Sequence, residues 1–429
     1  MTASPVIAYC GMTHLGLVSG TAAAAKGFET VLFDPDPALV ARLERGDLPV
    51  SEPDLDATFA ACRPRLTVTA DAGALARADV VYLAPDVPTD DTGASDLSAV
   101  ERLLAVVRPA LRDHATLVIL SQVPPGFTRG IEGVPGPLLY QVETLVFGIA
   151  LQRALEPERH IVGCADPAAP LPEPYRVWLE AFGCPILPMR YESAELAKIS
   201  INMCLVASVG VANTMAEICE HVGADWAEIA PSLKLDRRIG AYSYLAPGLG
   251  LAGGNLERDL ATVMRLGAAH GTDTGIVKAW VANSQWRKGW AARTLKALVL
   301  DADPAARVAV LGLAYKQDTH STKNSPSLAL LAALDGVDLT VHDPVVPASA
   351  SPVPAAAGAD PIATVRNADA LCIMTPWADY KALDPAAIAA AMRGRIVIDP
   401  YRVLDPARAR AAGLDWVTLG VASQSQEMH

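Results

Sequence analysis

An α/β protein with two Rossmann-like, doubly wound parallel-sheet domains joined by a central region of long helices is what the sequence predicts. Three observations predict it. Near the start, an apolar run enters a glycine turn and then a helical pattern. Around residue 307 the same strand-then-glycine order begins again. Between them, from Glu192, a helical pattern runs for about thirty residues without a proline. Apolar runs that alternate with helical periods are the mark of βαβ units. Residues 1–190, 191–300 and 301–429 are therefore assigned to a first α/β domain, a helical centre and a second α/β domain, which suits a chain of 429 residues.

Composition narrows the function classes. Apolar residues make up 51% of the chain and charged residues 19%, as in a globular α/β protein with ample core. A net charge of −12 argues against nucleic acid or an anionic membrane as partner, although a local pocket can still be basic enough for a phosphorylated substrate. The seven cysteines show no C-x-x-C spacing and mostly lie in apolar runs, the pattern of reduced, buried thiols in a cytoplasmic protein. No basic region precedes the first apolar run, and uncharged stretches are read as falling short of about 18 residues, so neither a signal peptide nor a membrane span is expected.

Taken in order, residues 6–10 read as a buried strand that runs into Gly11-Met12-Thr13-His14-Leu15-Gly16 and a helix over 17–26. A second strand, 30–33, ends at Asp34. In this layout a dinucleotide's pyrophosphate rests on the helix N-terminus, here Gly11, Thr13, His14, Leu15 and Gly16, and the acid takes the ribose 2′-OH. Asp34 would repel a 2′-phosphate, so NAD is expected over NADP. Thr13 stands where a second glycine would let the backbone approach, and its side chain is expected to shift or weaken the cofactor. Strands at 80–84 and 117–120 end in Pro85-Asp86-Val87-Pro88-Thr89 and Ser121-Gln122-Val123-Pro124-Pro125-Gly126. Loops at these strand ends bind ligands, though proline punctuation alone gives the same pattern.

Lys198 and Asn202 are four apart and share a helix face. Gly248-Leu249-Gly250-Leu251-Ala252-Gly253-Gly254-Asn255 then leads into a second helical run, 257–300. Such a loop brings backbone close to a bound molecule and sets Asn255 near a helix N-terminus; alone it is equally a helix entry lined by small residues. From Arg307 a strand again meets a glycine turn, Gly312-Leu313-Ala314-Tyr315-Lys316, with strands at 338–342, 370–374 and 396–398 after it. That half lacks a full GxGxxG and is read as binding something other than a dinucleotide.

These motifs, with Pro157-Glu158-Arg159, Ala194-Glu195-Leu196-Ala197-Lys198, Asp236-Arg237-Arg238-Ile239-Gly240, Ser325-Pro326 and Asp343-Pro344, resemble the UDP-glucose/GDP-mannose dehydrogenase family over nearly the whole length. The resemblance implies an N-terminal NAD domain, a central helical dimer core and a C-terminal domain for a UDP- or GDP-linked sugar. It implies catalytic roles at Lys198, Asn202, Asp259, Glu143, Asn255 and Gln122, with the lysine–asparagine pair and the aspartate stabilising an oxyanion. Pro88 and Thr89 join the cofactor contacts. Arg238, Tyr244, Leu245, Gly250, Gly253 and Lys316 are carried over as substrate contacts, the arginine reaching a neighbouring subunit.

The chain also departs from the family pattern. Family members oxidise an alcohol twice through a thioester on a loop cysteine, and Asn255 stands at that position. An amide is no nucleophile for this step. Cys204, two residues beyond Asn202, lies on another helix face and is no replacement. Gln122, Phe147, Arg258, Lys323-Asn324 and Asp399-Pro400-Tyr401 also depart from the pattern. The favoured expectation is therefore reversible hydride transfer on a nucleotide sugar without a thioester, giving an epimerase. A two-electron dehydrogenase that releases a carbonyl product and a non-catalytic nucleotide-sugar-binding subunit are the alternatives.

Overall fold

Ile7–Cys10 (β1) is a strand because it must be apolar on both sides. Ile7 and Tyr9 enter one core while Ala8 and Cys10 enter a second, and β2 (Thr30–Phe33) divides the same way, Leu32 against Val31 and Phe33. A parallel sheet covered on both faces requires such unbroken runs. The computed structural model describes residues 4–88, 90 and 94–422, and the chain divides into two compact units, Met1–Ile201 and Asn202–His429.

In the first unit β3 (Leu66–Thr69), β4 (Val80–Leu83), β5 (Thr116–Ile119), β6 (Leu138–Gln141), β7 (His160–Cys164) and β8 (Ile186–Arg190) complete an eight-stranded sheet of order β3-β2-β1-β4-β5-β6-β7-β8. Neighbours are parallel except β6 with β7. The order reverses between β1 and β4, which puts the loops after both strands at the switch point where ligands bind in such sheets. The expected strands at 6–10, 30–33, 80–84 and 117–120 are present within a residue or two. The sheet's outer strands were not foreseen. β3 alternates buried with half-buried residues, and β8 carries Pro188, which only an edge strand accommodates.

The second unit holds a six-stranded parallel sheet of order β11-β10-β9-β12-β13-β14, made of β9 (Arg307–Leu311), β10 (Asp338–His342), β11 (Ala356–Ala357), β12 (Ala370–Ile373), β13 (Ile396–Ile398) and β14 (Asp415–Val417). The second helical run is not one helix: it divides into the α-helices Asn255–His270, Gly275–Lys288 and Trp290–Leu295, the last continued by a π-helical turn over Lys296–Leu300. Gly271, at φ +67°, ends the first in the left-handed conformation that glycine adopts without strain. These helices and the sheet belong to one unit, joined in part through Glu220. Its carboxylate accepts from Arg287 Nη2 at 3.0 Å, Trp290 Nε1 at 3.0 Å and the Gly420 amide at 2.9 Å. The Trp226 amide donates to the Gly420 carbonyl at 2.9 Å, and Arg402 pairs with Asp225 at 2.7 Å.

The 32-residue helix Tyr191–Val222 corrects the expectation about membrane spans. Residues 199–216 are uncharged, and the helix is long and apolar enough to cross a membrane by length and composition. Its buried polar residues point to packing within protein. Asn202 Nδ2 donates to Asp259, and Asn213 Oδ1 accepts the Gly248 amide at 2.8 Å.

Candidate functional site

The glycine turn after β1 has the shape of a dinucleotide cradle. Gly11 sits at φ +93°, and a Cβ there would lie 3.0 Å from the Pro85 nitrogen; a Cβ on Gly16 would fall 2.0 Å from the Gly11 carbonyl oxygen. Only glycine allows this approach of helix to strand. Asp34, just past β2, accepts the Met12 amide at 2.7 Å and so fixes the turn. The residues present therefore fit NAD. Leu15 is core at this helix entry, and Pro88 is exposed; Thr89 lies outside the described residues. Thr13, in the place of the second glycine, turns its hydroxyl to the β4 loop and accepts the Asp86 amide at 2.8 Å.

Two acids missed at the sequence level complete this region. Asp86 Oδ2 accepts the His14 amide at 3.0 Å. That amide belongs to the helix N-terminus where a dinucleotide's pyrophosphate would sit. Although the residue is exposed, desolvation of its carboxylate pushes the Asp86 carboxyl above the ordinary range; Glu143 adds to this, and His14 and Thr13 oppose it. Glu52 is buried, pairs with His14 Nε2 at 2.8 Å, and accepts the Gly148 amide at 2.9 Å, so it ties the glycine turn to the loop after β6. Phe147 of that loop lies on the His14 ring, with centroids 4.2 Å apart. Asp86 was legible as the one acid in the first proline loop; Glu52 had no signal beyond a single glutamate before a proline.

Asp86 yields a sign for pH dependence. An ionised Asp86 holds the pyrophosphate seat, and a raised pKa means that it is lost as an anion at a higher pH than an ordinary carboxylate. NAD should therefore bind more tightly as pH falls toward the carboxylate range, and from a higher pH than an ordinary carboxylate would give. Asp86→Asn should flatten that dependence and tighten binding at pH 8 by about tenfold, the equivalent of about 1.4 kcal/mol. Titration calorimetry of both proteins checks this, and equal pH slopes would remove Asp86 from cofactor binding.

Lys198 leaves the long helix within the first unit. Its ammonium lies 2.5 Å from Glu143 Oε1 and donates to the Glu143 carbonyl at 3.0 Å, with side chains only 12% and 17% exposed. The Leu145 amide donates to the other Glu143 oxygen at 2.9 Å. Glu195, fully buried, accepts the Gly126 and Thr128 amides at 2.6 and 2.9 Å and so fixes the second proline loop, on which Gln122 is half-buried.

In the second unit Asn202, Asp259 and Arg258 form a buried polar group. Asn202 Nδ2 donates to Asp259 Oδ2, and Arg258 Nε lies 3.2 Å from Asp259 Oδ1. Asn255 is exposed as the first residue of the helix Asn255–His270. Gly250 and Gly253 have packing reasons of their own. A Cβ on Gly250 would meet the Ser284 carbonyl at 2.3 Å, and one on Gly253 would press on the Tyr315 ring at 3.2 Å. Leu245 is core, its carbonyl accepting from Trp226 Nε1, whereas Tyr244 is half exposed. The Arg238 guanidinium, 89% exposed, folds back on Asp236 at 2.6 Å, and Lys316 is half-buried. After β10, Asp343 repeats the role of Asp34. Desolvation alone would raise its carboxyl, but the amides of Leu313, Ala314, Val345 and Val346 hold it below the usual range.

Family models of the UDP-glucose/GDP-mannose dehydrogenase family match three successive stretches: its NAD binding domain at residues 6–170, its central domain at 192–285 and its UDP binding domain at 309–406. The chain is 31% identical to a UDP-glucose 6-dehydrogenase of Haloferax volcanii over 95% of this chain and 98% of that one. It is 30% identical to a UDP-glucose 6-dehydrogenase of Pseudomonas aeruginosa over 96% of each. A UDP-glucose dehydrogenase structure from Pyrobaculum islandicum superposes with a TM-score of 0.83 at 26% identity, covering 98% of both chains. These matches correct the expectation of an epimerase, because the full-length relatives are named dehydrogenases. The cofactor is NAD. With three domain models in order and whole-length relatives at 30% identity and above, the chain belongs to the UDP-glucose/GDP-mannose dehydrogenase family.

Proposed function

We propose that this protein is an NAD-dependent dehydrogenase of a UDP-linked sugar, which oxidises a sugar alcohol to a carbonyl. The observation that carries the reading is the half-buried Lys198–Glu143 pair in the same unit as the NAD cradle. NAD, when bound, supplies the hydride acceptor. Lys198 donates to the substrate oxygen as negative charge builds on it, and Glu143, already touching the ammonium, takes the alcohol's proton. Asn202 follows Lys198 by four residues on the same helix and is oriented by Asp259.

Oxidation stops, on this reading, after one hydride. Asn255 offers an amide where the family pattern has its loop cysteine, and Cys372 in β12 is buried with its thiol pushed up to about 12 by desolvation, far from the thiolate state a nucleophile needs. Incubation with a UDP-sugar panel should give one NADH per sugar consumed. Two NADH per sugar with a uronate product would overturn the single-oxidation reading, and no NADH from any sugar would overturn the dehydrogenase reading.

The partner is a second copy of this chain. Val211, Met215, Ile218 and Val222 recur at helical spacing along the long helix and are 55, 41, 44 and 68% exposed, an apolar stripe that water covers at a cost. Sedimentation equilibrium at micromolar protein should show a dimer, and Met215→Glu with Ile218→Glu should give monomers. A wild-type monomer would refute the assignment.

A further inference from the structure

The second unit contains a cleft of about 370 Å³, within the size range of small-molecule sites. It is lined by the last turns of the long helix, by the helices Gly275–Lys288 and Trp290–Leu295 with the π-helical turn after them, and by the end of β14. None of the residues carried over as substrate contacts lines it. Trp286, Trp290, Leu298 and Val417 give it apolar walls. The acids in those walls already have their donors. Glu220 holds Arg287, Trp290 Nε1 and the Gly420 amide, and Glu217 accepts Trp286 Nε1 at 2.7 Å with Arg287 Nη1 3.4 Å away. Arg293 is different. Its guanidinium lies on the Trp286 indole, 3.7 Å from the ring centroid, and Nη1 donates to the Trp286 carbonyl at 2.8 Å. Among the described residues it has no ion-pair partner. Desolvation lowers its pKa, and the pull of Glu217 and Glu220 does not make up for this, so the wall is short of negative charge at this point.

We propose that this cleft binds a small carboxylate with a flat, apolar body, its anion paired with Arg293 and its body against Leu298 and Val417. A guanidinium held flat on an indole keeps its remaining N–H groups in one plane, the geometry that a carboxylate matches with two bonds. Such bonds to a charged acceptor are stronger than neutral ones, and more so beside apolar walls than in open water. The apolar body adds the release of water from the aliphatic and indole surface. A cation has no seat here, because both acids are engaged and Arg293 repels it. A neutral ring of the same shape gains the burial alone.

Calorimetric titration of the full chain with naphthoate tests this, with naphthamide and naphthylmethylammonium as the neutral and cationic analogues. Naphthoate should bind about tenfold more tightly than either analogue, and saturating NAD and UDP should not displace it. Arg293→Leu should weaken naphthoate by about tenfold and leave naphthamide unchanged, whereas Arg293→Lys, which keeps the charge without the planar fork, should fall between. Ala297→Trp fills the cleft from an exposed position and should abolish naphthoate binding while the melting temperature and NAD binding stay as in the parent. These last two variants decide the matter even if Arg293→Leu fails to fold. Equal affinity for the three probes, displacement by UDP, or binding that the variants leave unchanged would overturn the proposal. No binding by the parent would overturn it as well, and monomers from Ala297→Trp would then assign the cleft to a second copy of the chain.

Discussion

Replacing Lys198 with alanine is expected to lower kcat by about 10³ or more while leaving NAD binding intact. The loss of one oxyanion donor costs about 10²–10³ in rate, and a charged donor in a largely closed site costs more than a neutral one. The pair with Glu143 sharpens the test, since both side chains are mostly withdrawn from water. Alanine leaves the Glu143 carboxylate without its ammonium, so some loss of stability accompanies the loss of rate. The double variant Lys198→Met with Glu143→Gln removes both charges and keeps the volume. It should melt close to the parent and remain inactive. Single-turnover NADH formation checks the rate, and titration calorimetry checks the cofactor. A Lys198→Ala protein within tenfold of wild type would place the oxyanion elsewhere.

The largest stability effect should follow Arg287→Met. The Arg287 guanidinium is completely buried, 3.0 Å from Glu220 and 3.4 Å from Glu217, whose side chains are 13% and 26% exposed. Removal of the cation leaves two carboxylates facing each other around an apolar side chain. Breaking a buried pair in this way costs about 3–5 kcal/mol, and the partial exposure of both acids places the expected value at the lower end. Denaturant unfolding should show that loss in the transition of the second unit. The triple change Arg287→Met, Glu217→Gln and Glu220→Gln should recover part of it, because neutral amides need no counter-charge. A loss below about 1 kcal/mol in the single variant would mean that water reaches the two acids freely.

The sequence made some of this legible and hid the rest, for physical reasons. β1, β2, β4 and β5 were readable because strands buried on both faces are unbroken apolar runs. β3 and β8 were hidden because strands on the sheet's flank alternate or carry proline, and neither pattern differs locally from loop. The cradle was readable because Gly11, Gly16 and Asp34 serve one short segment. Asp86 and Glu52 act across 72 and 38 residues of sequence, through His14, and no local period records such a contact. Gly250 and Gly253 were read as ligand approach, while each also admits a neighbour from its own unit, Ser284 or Tyr315. Substitution patterns identified Asn255 and Phe147 as departures, but the assignment of an epimerase drew more from those departures than the whole-length likeness to dehydrogenases supports.

The Glu220–Gly420 hydrogen bond spans 200 residues. Every partner of that carboxylate, and the Trp226 amide that shares Gly420, sits in the second unit. During synthesis the segment around Glu220 leaves the ribosome early and must wait for residues 418–421 before its acid is fully satisfied. At about 5–20 residues per second, that interval is on the order of ten to forty seconds. Throughout it the helices after Asn202 carry an apolar stripe and an incomplete core, and in that window of translation this part of the nascent chain is most exposed to misassembly and most in need of a chaperone.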